Sequence, residues 1–298
     1  MKIGITGVSG FIGRHIAELA LKRGHSVIGF SRNTSQSVSN CNEIRSFGLN
    51  EKPDISGCEA LIHLAGENVF GLWTREKKRR IRESRQIGTH WLVDSILAAA
   101  KPPGVLVSSS AIGFYGDTGE TERDEEASIG NGFLAETTQL WESEALRAHT
   151  AKTRVVLLRT GLVLGKQGGA LKVMTPIFCA GLGGKIGSGN QWMSWIHLDD
   201  IAALALFAVE NEGLQGPVNA VAPEPVRNAY FTQSLAAVLH RPAIFNVPGF
   251  VLKSCLGEFA GELLDSKRIL PTRAIAAGFH PRFTGLDIAL KAIFDSLP

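Results

Sequence analysis

The first residues of the chain carry the pattern that most restricts its fold. Gly7, Gly10 and Gly13 have the spacing GxxGxxG, between an apolar run at residues 2–7 and a helical pattern at residues 11–24. Glycines at such a turn permit a tight backbone path and leave no Cβ atom to obstruct a diphosphate. The following helix N-terminus offers free N–H groups and a partial positive charge to that anion. The pattern predicts a dinucleotide-binding turn, the alternative being a purely structural strand-to-helix turn.

Short apolar runs and helical patterns alternate along the first half of the chain. Crossovers of this length between strands are typical of a parallel sheet with helices on both faces. We therefore predict an α/β fold, a Rossmann-type doubly wound parallel sheet followed by a small, mostly helical C-terminal region on the substrate side. The predicted strands occupy residues 2–7, 25–32, 43–47, 58–66, 105–110 and 153–165, and the predicted long helix occupies residues 75–100.

The sequence pattern changes after Gly165, where glycine-rich loop sequence replaces the regular alternation of predicted strands and helices. Residues 223–298 are mostly helical in pattern and contain several prolines. We predict a main domain over residues 1–222, with a mobile substrate-side loop at about 166–192, and a small C-terminal domain over residues 223–298.

The end of the second predicted strand indicates which dinucleotide the turn prefers. Proteins that bind NAD usually place an Asp or Glu there, on the ribose hydroxyls. This chain has "GFSRN" at residues 29–33, so Ser31 and Arg32 occupy the position and no carboxylate is nearby. A guanidinium binds a phosphate through two hydrogen bonds, which favours NADP(H) with Arg32 at the 2′-phosphate. The alternative is that Arg32 is a solvated loop residue.

Composition excludes several classes of protein. Hydrophobic residues make up 44% of the chain and charged residues 20%, with a formal net charge of +3, which is ordinary for a packed protein and too small to indicate nucleic acid. The basic run at residues 75–85 is typical of a solvated helix face. The four cysteines form no CxxC pair, so we predict neither a zinc site nor disulfides. With no signal peptide and no apolar stretch of roughly 20 residues, the predicted location is cytoplasmic, without a membrane partner.

Several further motifs appear in a fixed order after the glycine turn. They are "LIHLAG" (61–66), "VLVSSSAIGFYG" (105–116), "LLRTGLVLG" (157–165) and "WIHLDDIA" (195–202). Together with the glycine turn they resemble the extended short-chain dehydrogenase/reductases, a superfamily that includes nucleotide-sugar epimerases and dehydratases. The details "LAGEN", "GLGGKIGSG", "WIHLDD" and "LP.R....GF" (270–279) resemble more closely an atypical subgroup, the epimerase family proteins with a C-terminal domain of unknown function.

The resemblance implies a set of cofactor-binding residues. It places the pyrophosphate on the glycine turn and the adenosine near the end of the fourth strand. Arg85 either reaches inward to the cofactor or belongs to the solvated basic face. The implied residues are Gly7, Gly10 and Gly13 with the backbone of Phe11 and Ile12, Ala65 and Gly66 at the adenosine, Ser108 to Ser110 beside the nicotinamide, and Gly161, Leu162 and Val163 lining the nicotinamide pocket.

The resemblance also implies a catalytic Ser or Thr and a Tyr-x-x-x-Lys helix, and the helix motif is missing. Tyr115 has Gly119 four residues on, and the corresponding helix at residues 131–146 contains neither tyrosine nor lysine. Ser110 and Tyr115 are therefore the catalytic candidates, with Glu136 or His197 as other proton donors. Each has a structural alternative: Ser110 bonds backbone at a strand end, Tyr115 packs locally, and His197 lies near a helix N-terminus capped by Asp199 or Asp200.

These observations leave two functions open. One is an NADP(H)-dependent oxidoreductase or nucleotide-sugar epimerase-like enzyme, acting on a small molecule such as a sugar nucleotide or a carbonyl compound. The other is a non-catalytic NADP(H)-binding sensor or regulatory protein. Trp192 and Trp195 are interpreted as packing residues of the lid, the alternative being that they stack on a substrate. Nothing in the sequence indicates a particular oligomeric state.

Overall fold

The computed structural model of the protein describes residues 1–34 and 40–295. Its strands are β1 Lys2–Thr6, β2 Ser26–Ser31, β3 Glu43–Ser46, β4 Ala60–His63, β5 Val105–Ala111, β6 Arg154–Thr160, β7 Leu162–Leu164, β8 Gly184–Ile186, β9 Trp192–Met193, β10 Trp195–His197, β11 Gly216–Ala220, β12 Val226–Arg227 and β13 Phe245–Val247. Its α-helices are α1 Phe11–Lys22, α2 Arg75–Ala98, α3 Phe133–Leu146, α4 Gly169–Cys179, α5 Leu198–Glu210, α6 Asn228–Val238, α7 Gly249–Leu256, α8 Phe259–Leu264, α9 Thr272–Ala276 and α10 Leu286–Asp295.

A seven-stranded parallel sheet lies at the centre of the molecule, in the order β3–β2–β1–β4–β5–β6–β11. One hydrophobic cluster joins one face of the sheet to α1 and α5. A second cluster joins the opposite face to α2 and α3. Because the inner strands β1, β2, β4, β5 and β6 are largely buried on both faces, helices must cover both, and the predicted doubly wound α/β fold is confirmed.

The predicted strand at residues 153–165 is two strands in the structure. β6 stays in the central sheet, whereas β7 leaves it and pairs with β10. The break falls at Gly161, where a Cβ atom would lie 2.7 Å from the carbonyl oxygen of Ser194. The close approach of the segment before β10 therefore ends β6 at this glycine.

The C-terminal part packs against the main sheet domain and shares a core with it. One cluster combines Leu164 and Trp195 with Phe231 of α6 and Leu290 of α10. The Asp200 carboxylate of α5 accepts hydrogen bonds from the backbone of Arg282 (2.8 Å) and Phe283 (2.9 Å). The proposed boundary at residue 222 thus divides the sequence but not the core.

The glycine-rich segment at residues 181–191, interpreted from the sequence as a mobile loop, is tied into this part of the molecule. Its β8 pairs with β13. The Gln191 side chain donates to the carbonyls of Ile186 (3.1 Å) and Leu263 (3.2 Å).

Candidate functional site

The candidate site lies at the carboxyl ends of the central strands. The chain proceeds from β1 towards β3 on one side and from β4 towards β6 on the other, so the direction of winding changes between β1 and β4. In open α/β sheets, ligands bind in the crevice at such a point. The loops after β1, β2 and β4 all open into this crevice.

The glycine turn after β1 has no room for side chains. Gly7 has φ +69°, and a Cβ at Gly13 would lie 2.3 Å from the Gly7 carbonyl oxygen. Gly10 is the N-cap of α1, and the first bond of the helix is donated by the Arg14 amide to the Gly10 carbonyl (3.0 Å). The amides of Phe11 and Ile12 precede that bond, so they retain donors for an anion, as helix N-termini do.

A cavity of about 470 Å³ opens directly beside this turn. Its walls come from the loops after β1 to β4 and from the first half of α2. The lining includes Ser31, Arg32, Ala65 and Gly66, four residues that the sequence assigned to a cofactor. The full lining is Gly7, Ser9, Gly10, Phe30, Ser31, Arg32, Asn33, Phe47, Gly48, Leu49, Leu64, Ala65, Gly66, Glu67, Arg80, Glu83 and Ser84.

The charges on the cavity wall favour an anion beside Arg32. Arg32 is exposed, and no hydrogen bond of its guanidinium occurs within the described residues. The carboxylate of Glu67 is paired with Lys77 (2.8 Å) and that of Glu83 with Arg79 (2.8 Å). Because the carboxylates of Glu67 and Glu83 are paired with other basic side chains, the guanidinium of Arg32 is available to bind an anionic ligand.

A buried hydrogen-bonded chain holds the loop under the cavity. Thr6 Oγ1 accepts hydrogen bonds from the amides of Leu64 (3.1 Å) and Ala65 (3.2 Å), so its hydroxyl proton is directed to His63 Nδ1 (2.7 Å). His63 Nε2 then donates to Thr89 Oγ1 (3.0 Å). Burial lowers the pKa of His63 to about 4, so the ring is neutral and structural.

Arg85 points inward, away from the solvated basic face of α2, but it does not line the 470 Å³ cavity. Its guanidinium donates to the carbonyls of Glu67 (3.0 Å) and Ile81 (3.2 Å) and lies over the Trp141 ring at 5.0 Å. Burial lowers its pKa to about 10. Arg85 is thus distinct from the solvated basic residues of α2 and lies against Gly66, at the floor of the crevice.

Ser110 and Tyr115 belong to one buried network, connected through Glu142 and Arg159. Ser110 Oγ donates to Glu142 Oε1 (2.5 Å). Arg159 binds the same carboxylate with Nε (2.8 Å) and Nη2 (2.9 Å) and donates with Nη1 to the Tyr115 hydroxyl (2.9 Å). Tyr115 in turn donates to Asn219 Oδ1 (2.7 Å). The structure therefore brings the two catalytic candidates together, but each hydroxyl proton is already committed to a protein acceptor.

The environment of this network opposes acid–base chemistry by the tyrosine. Tyr115 is only 3% exposed, and burial raises the pKa of its phenol, although Arg159 opposes the rise. Glu142 and Arg159 are similarly enclosed, with side chains 8% and 5% exposed. The network is a structural one: it ties β5, α3, β6 and β11 together beneath the cleft.

Three members of this network, Glu142, Arg159 and Asn219, were not identified from the sequence. A signal was present for Arg159 and Asn219, which interrupt the apolar stretches "VVLLRTG" and "PVNAVA". A charged residue at a core position requires a buried partner. Glu142 gives no such signal, because its surroundings, "TTQLWESEAL", are polar, and the sequence therefore does not identify it as the partner of Arg159.

Apolar groups occupy the region where the superfamily resemblance implies the tyrosine helix. Phe133 packs edge-on against Trp73, with ring centroids 5.0 Å apart, and Leu134 lies against Gly113. Thr137 Oγ1 donates to the Phe133 carbonyl (2.7 Å). None of these side chains supplies an acid or a cation, which agrees with the missing motif.

The other two proton-donor candidates have structural roles. Glu136 is exposed on α3 and pairs with Arg82 (3.0 Å). His197 is itself the N-cap of α5, since its Nδ1 accepts from the Asp199 amide (3.0 Å). The sequence had placed this cap on Asp199 or Asp200, which instead lie in the first turn. Burial lowers the pKa of His197 to about 4.

The remaining residues that were predicted to lie beside the nicotinamide are Ser108, Gly161, Leu162 and Val163. Ser108 is fully buried in the middle of β5 and donates to the Ser109 carbonyl (3.3 Å), since the strand continues to Ala111. Gly161 forms the β6–β7 break, and Leu162 and Val163 begin β7. None of these four residues lines the 470 Å³ cavity.

The two tryptophans near β9 and β10 differ in their surroundings. Trp195 is fully buried and donates to the Glu224 carbonyl (3.0 Å), so it is a core residue. Trp192 is half-buried beside the guanidinium groups of Arg227 (4.1 Å) and Arg268 (4.5 Å). Two cations of the protein therefore already lie over the Trp192 ring.

Two features are absent among the residues that the structure describes. No group of three or more His, Cys, Asp or Glu side chains is arranged to hold a metal ion there. Among the same residues, no helix is long and apolar enough to cross a membrane.

Comparison with known proteins gives a consistent result over the whole chain. The model of the NAD dependent epimerase/dehydratase family matches residues 3–221, and a domain of unknown function (DUF1731) matches residues 247–293. The chloroplastic "Epimerase family protein SDR39U1 homolog" of Arabidopsis thaliana is 38% identical, covering 98% of this chain and 86% of that protein. "Epimerase family protein YfhF" of Bacillus subtilis is 36% identical, covering 98% of each.

A solved structure agrees in detail. The crystal structure of human epimerase family protein SDR39U1 (isoform2) with NADPH superposes with a TM-score of 0.93, at 32% identity and covering 100% of both chains. This chain therefore belongs to the NAD dependent epimerase/dehydratase family and is similar over its whole length to the epimerase family proteins.

Proposed function

We propose that this chain binds NADP(H) in the crevice between β1 and β4. The observation that carries the proposal is the glycine turn, whose missing Cβ atoms leave a diphosphate-sized approach to the N-terminus of α1. The human neighbour, whose structure was described with NADPH, supports the choice of cofactor. The pyrophosphate would be held by the amides of Phe11 and Ile12, and the adenosine side by Ala65 and Gly66.

The preference for the phosphorylated cofactor rests on Ser31 and Arg32. Both line the cavity after β2, and the wall carboxylates of Glu67 and Glu83 are paired with other cations. Arg32 would bind the 2′-phosphate through charge-assisted hydrogen bonds. The hydroxyl of Ser31 accepts from the Asn33 amide (3.2 Å), which fixes the turn on which Arg32 lies.

We further propose that the protein is an oxidoreductase or epimerase-like enzyme acting on a sugar nucleotide or a carbonyl compound. A bound NADP(H) supplies hydride chemistry. The chain's own contribution is then to position the substrate and exclude water, with Phe133 and Leu134 as apolar walls. Ser110 and Tyr115 would support the cleft without transferring protons, so a substrate that needs little acid catalysis suits this arrangement.

The hydroxyls of Ser110 and Tyr115 both donate to acceptors within the protein, to Glu142 and Asn219. This favours a second function, NADP(H) binding without turnover, as a sensor or regulatory protein. A panel of carbonyl compounds and sugar nucleotides discriminates between the two functions. NADPH oxidation with any member supports the enzyme. Tight NADPH binding without turnover across the panel supports the sensor.

The cofactor proposal is tested by titrating NADPH and NADH into the wild type and into Arg32→Ala. We expect the substitution to weaken NADPH binding by roughly 10- to 100-fold, the worth of a charge-assisted hydrogen bond, and to leave NADH binding almost unchanged. Arg75→Ala is the matched control, because Arg75 is equally exposed but does not line the cavity. Equal losses for both cofactors, or no loss for NADPH, would refute the role of Arg32.

A further inference from the structure

A second cavity, of about 600 Å³, lies on the other side of α1. It is bounded by α1, the loop after β7, the start of α5 and α10. It shares no lining residue with the cofactor crevice, although the backbone amide of Phe11, one of its lining residues, was assigned to the pyrophosphate. The residues that define it chemically are Phe11, Arg14, His15, Lys166, Leu198 and Ile293.

Two basic side chains of this cavity have no acidic partner among the described residues. Within residues 1–34 and 40–295, the side chains of Arg14 and Lys166 make neither an ion pair nor a hydrogen bond, and both residues are exposed to the cavity. The two carboxylates are already engaged: Glu18 pairs with Lys22 (2.7 Å) and Asp199 with His15 (2.7 Å). Two cations therefore remain available to a ligand.

The framework that carries these cations is well fixed. Arg14 lies in the first turns of α1, which the glycine turn anchors at Gly10. Lys166 is on the loop after β7, where the Phe11 ring lies 2.3 Å from the Cβ position of Gly168 and 2.7 Å from that of Gly165. Because the ring fills the space of these missing side chains, the loop is pressed onto α1, and Lys166 is held on the rim.

The wall of the cavity is apolar where the cations are absent. Phe11 and Leu198 line one side and Ile293 of α10 another. The cavity thus offers a cationic rim and a small apolar surface, which together suit an anion attached to a compact organic body.

We propose that this cavity binds a small phosphate-bearing molecule through Arg14 and Lys166, independently of the dinucleotide in the crevice. A phosphate monoester carries up to two negative charges near neutral pH and matches two unpaired cations better than a monocarboxylate does. Since Gly10, the N-cap of α1, lines the cofactor crevice and the helix itself lines this cavity, the two ligands would lie near the same helix end.

The test is calorimetric titration of the full chain, saturated with NADPH, with inorganic phosphate and with phenyl phosphate. We expect both to bind, and phenyl phosphate to bind more tightly because its ring covers the apolar wall. Arg14→Gln and Lys166→Gln should each weaken binding about tenfold or more, since each removes a charge-assisted hydrogen bond. Arg75→Gln, at an exposed position away from this cavity, should have no effect.

Three results would overturn the proposal: no binding by the wild type, equal binding by both variants and the wild type, or displacement of NADPH by the phosphate. Displacement would place the anion in the cofactor crevice instead. The NADPH affinity and the urea midpoint of each variant are measured in parallel. If the NADPH affinity and the urea midpoint of a variant are unchanged, its loss of phosphate binding is local to the second cavity. The same titration series would separately detect a failure of NADPH to bind.

Discussion

Tyr115 shows how burial decides what a hydroxyl can do. Its phenol lies between a donor, Arg159, and an acceptor, Asn219, and both of these are buried with it. The sequence correctly predicts that Tyr115 is not the tyrosine of the missing motif, because only spacing is needed for that. It does not reveal the partners, since Asn219 lies 104 residues further along the chain and meets Tyr115 only through the sheet order.

Replacing Tyr115 by Phe should therefore affect stability and not turnover. The substitution leaves an Arg159 N–H and the Asn219 oxygen without partners in the interior, which costs about 1–3 kcal/mol in the free energy of unfolding. Urea denaturation measures this loss. Tyr230→Phe is the control, because the Tyr230 hydroxyl contacts Asp287 at an exposed site and should change stability by about 0.5 kcal/mol or less. Lost NADPH oxidation at unchanged stability would instead make Tyr115 catalytic.

At the scale of elements, helix ends could be predicted less well than helices. The periodic patterns of α1 and α2 define both helices from the sequence, and the Pro-containing stretch after Ala98 ends α2 as expected. The predicted N-cap of α5, Asp199 or Asp200, was wrong. Two aspartates followed by an apolar run resemble a usual helix N-terminus, which explains the prediction. The histidine takes the position because its ring also packs on Phe283, with centroids 3.9 Å apart, a contact that tertiary structure alone supplies.

The α5 cap should make stability depend on pH. The pKa of His197 falls from 6.5 to about 4 on folding, so the unfolded state binds the proton more readily. The stability that this neutral ring contributes is complete above about pH 6.5 and is lost as the pH falls through 4, by at most roughly 3 kcal/mol. His63, with the same shift, adds to the loss in the same window.

His197→Asn isolates the contribution of the cap. Asparagine still accepts from the Asp199 amide but does not titrate, so the variant should be less stable than the wild type at pH 8 and approach it towards pH 4.5. Urea midpoints measured across this range check the prediction, with the exposed His149→Asn as control. A difference between wild type and His197→Asn that stays constant with pH would contradict it.

At the scale of the whole molecule, the alternation of strands and helices was sufficient to predict a doubly wound parallel sheet, its strands β1 to β6 and the glycine turn after β1. The edge strand β11 was not predicted. The C-terminal region could be predicted only as mostly helical. Its attachment depends on long-range contacts such as those of Asp200 with residues 282 and 283, and no local pattern encodes them. The second cavity was missed for the same reason, because Arg14 and Lys166 are far apart in sequence.

The shared core predicts that the two parts of the chain unfold together. Asp200→Ala removes the acceptor of two buried backbone amides, and we expect a loss of about 3 kcal/mol, from roughly 1.5 kcal/mol or more per hydrogen bond to a charged group. Circular dichroism in urea should show one transition at a lower midpoint. Glu212→Ala, an exposed acidic residue after α5, should leave the midpoint unchanged. Two separate transitions in the wild type would show that the parts fold independently.

The packing of Phe11 against the loop after β7 has a consequence for how this sequence can vary. The ring occupies the space that side chains at Gly165, Gly168 and Gly169 would need, with Cβ positions 2.7, 2.3 and 3.3 Å away. An alanine at residue 168 is therefore excluded while position 11 is aromatic. Truncating residue 11 to alanine removes the ring atoms at 2.3 Å but leaves its own Cβ 2.9 Å from the new side chain, so the obstruction is relieved in part. Positions more than 150 residues apart are thus expected to covary among relatives, and a Phe11→Ala, Gly168→Ala double-mutant cycle should show strong positive coupling.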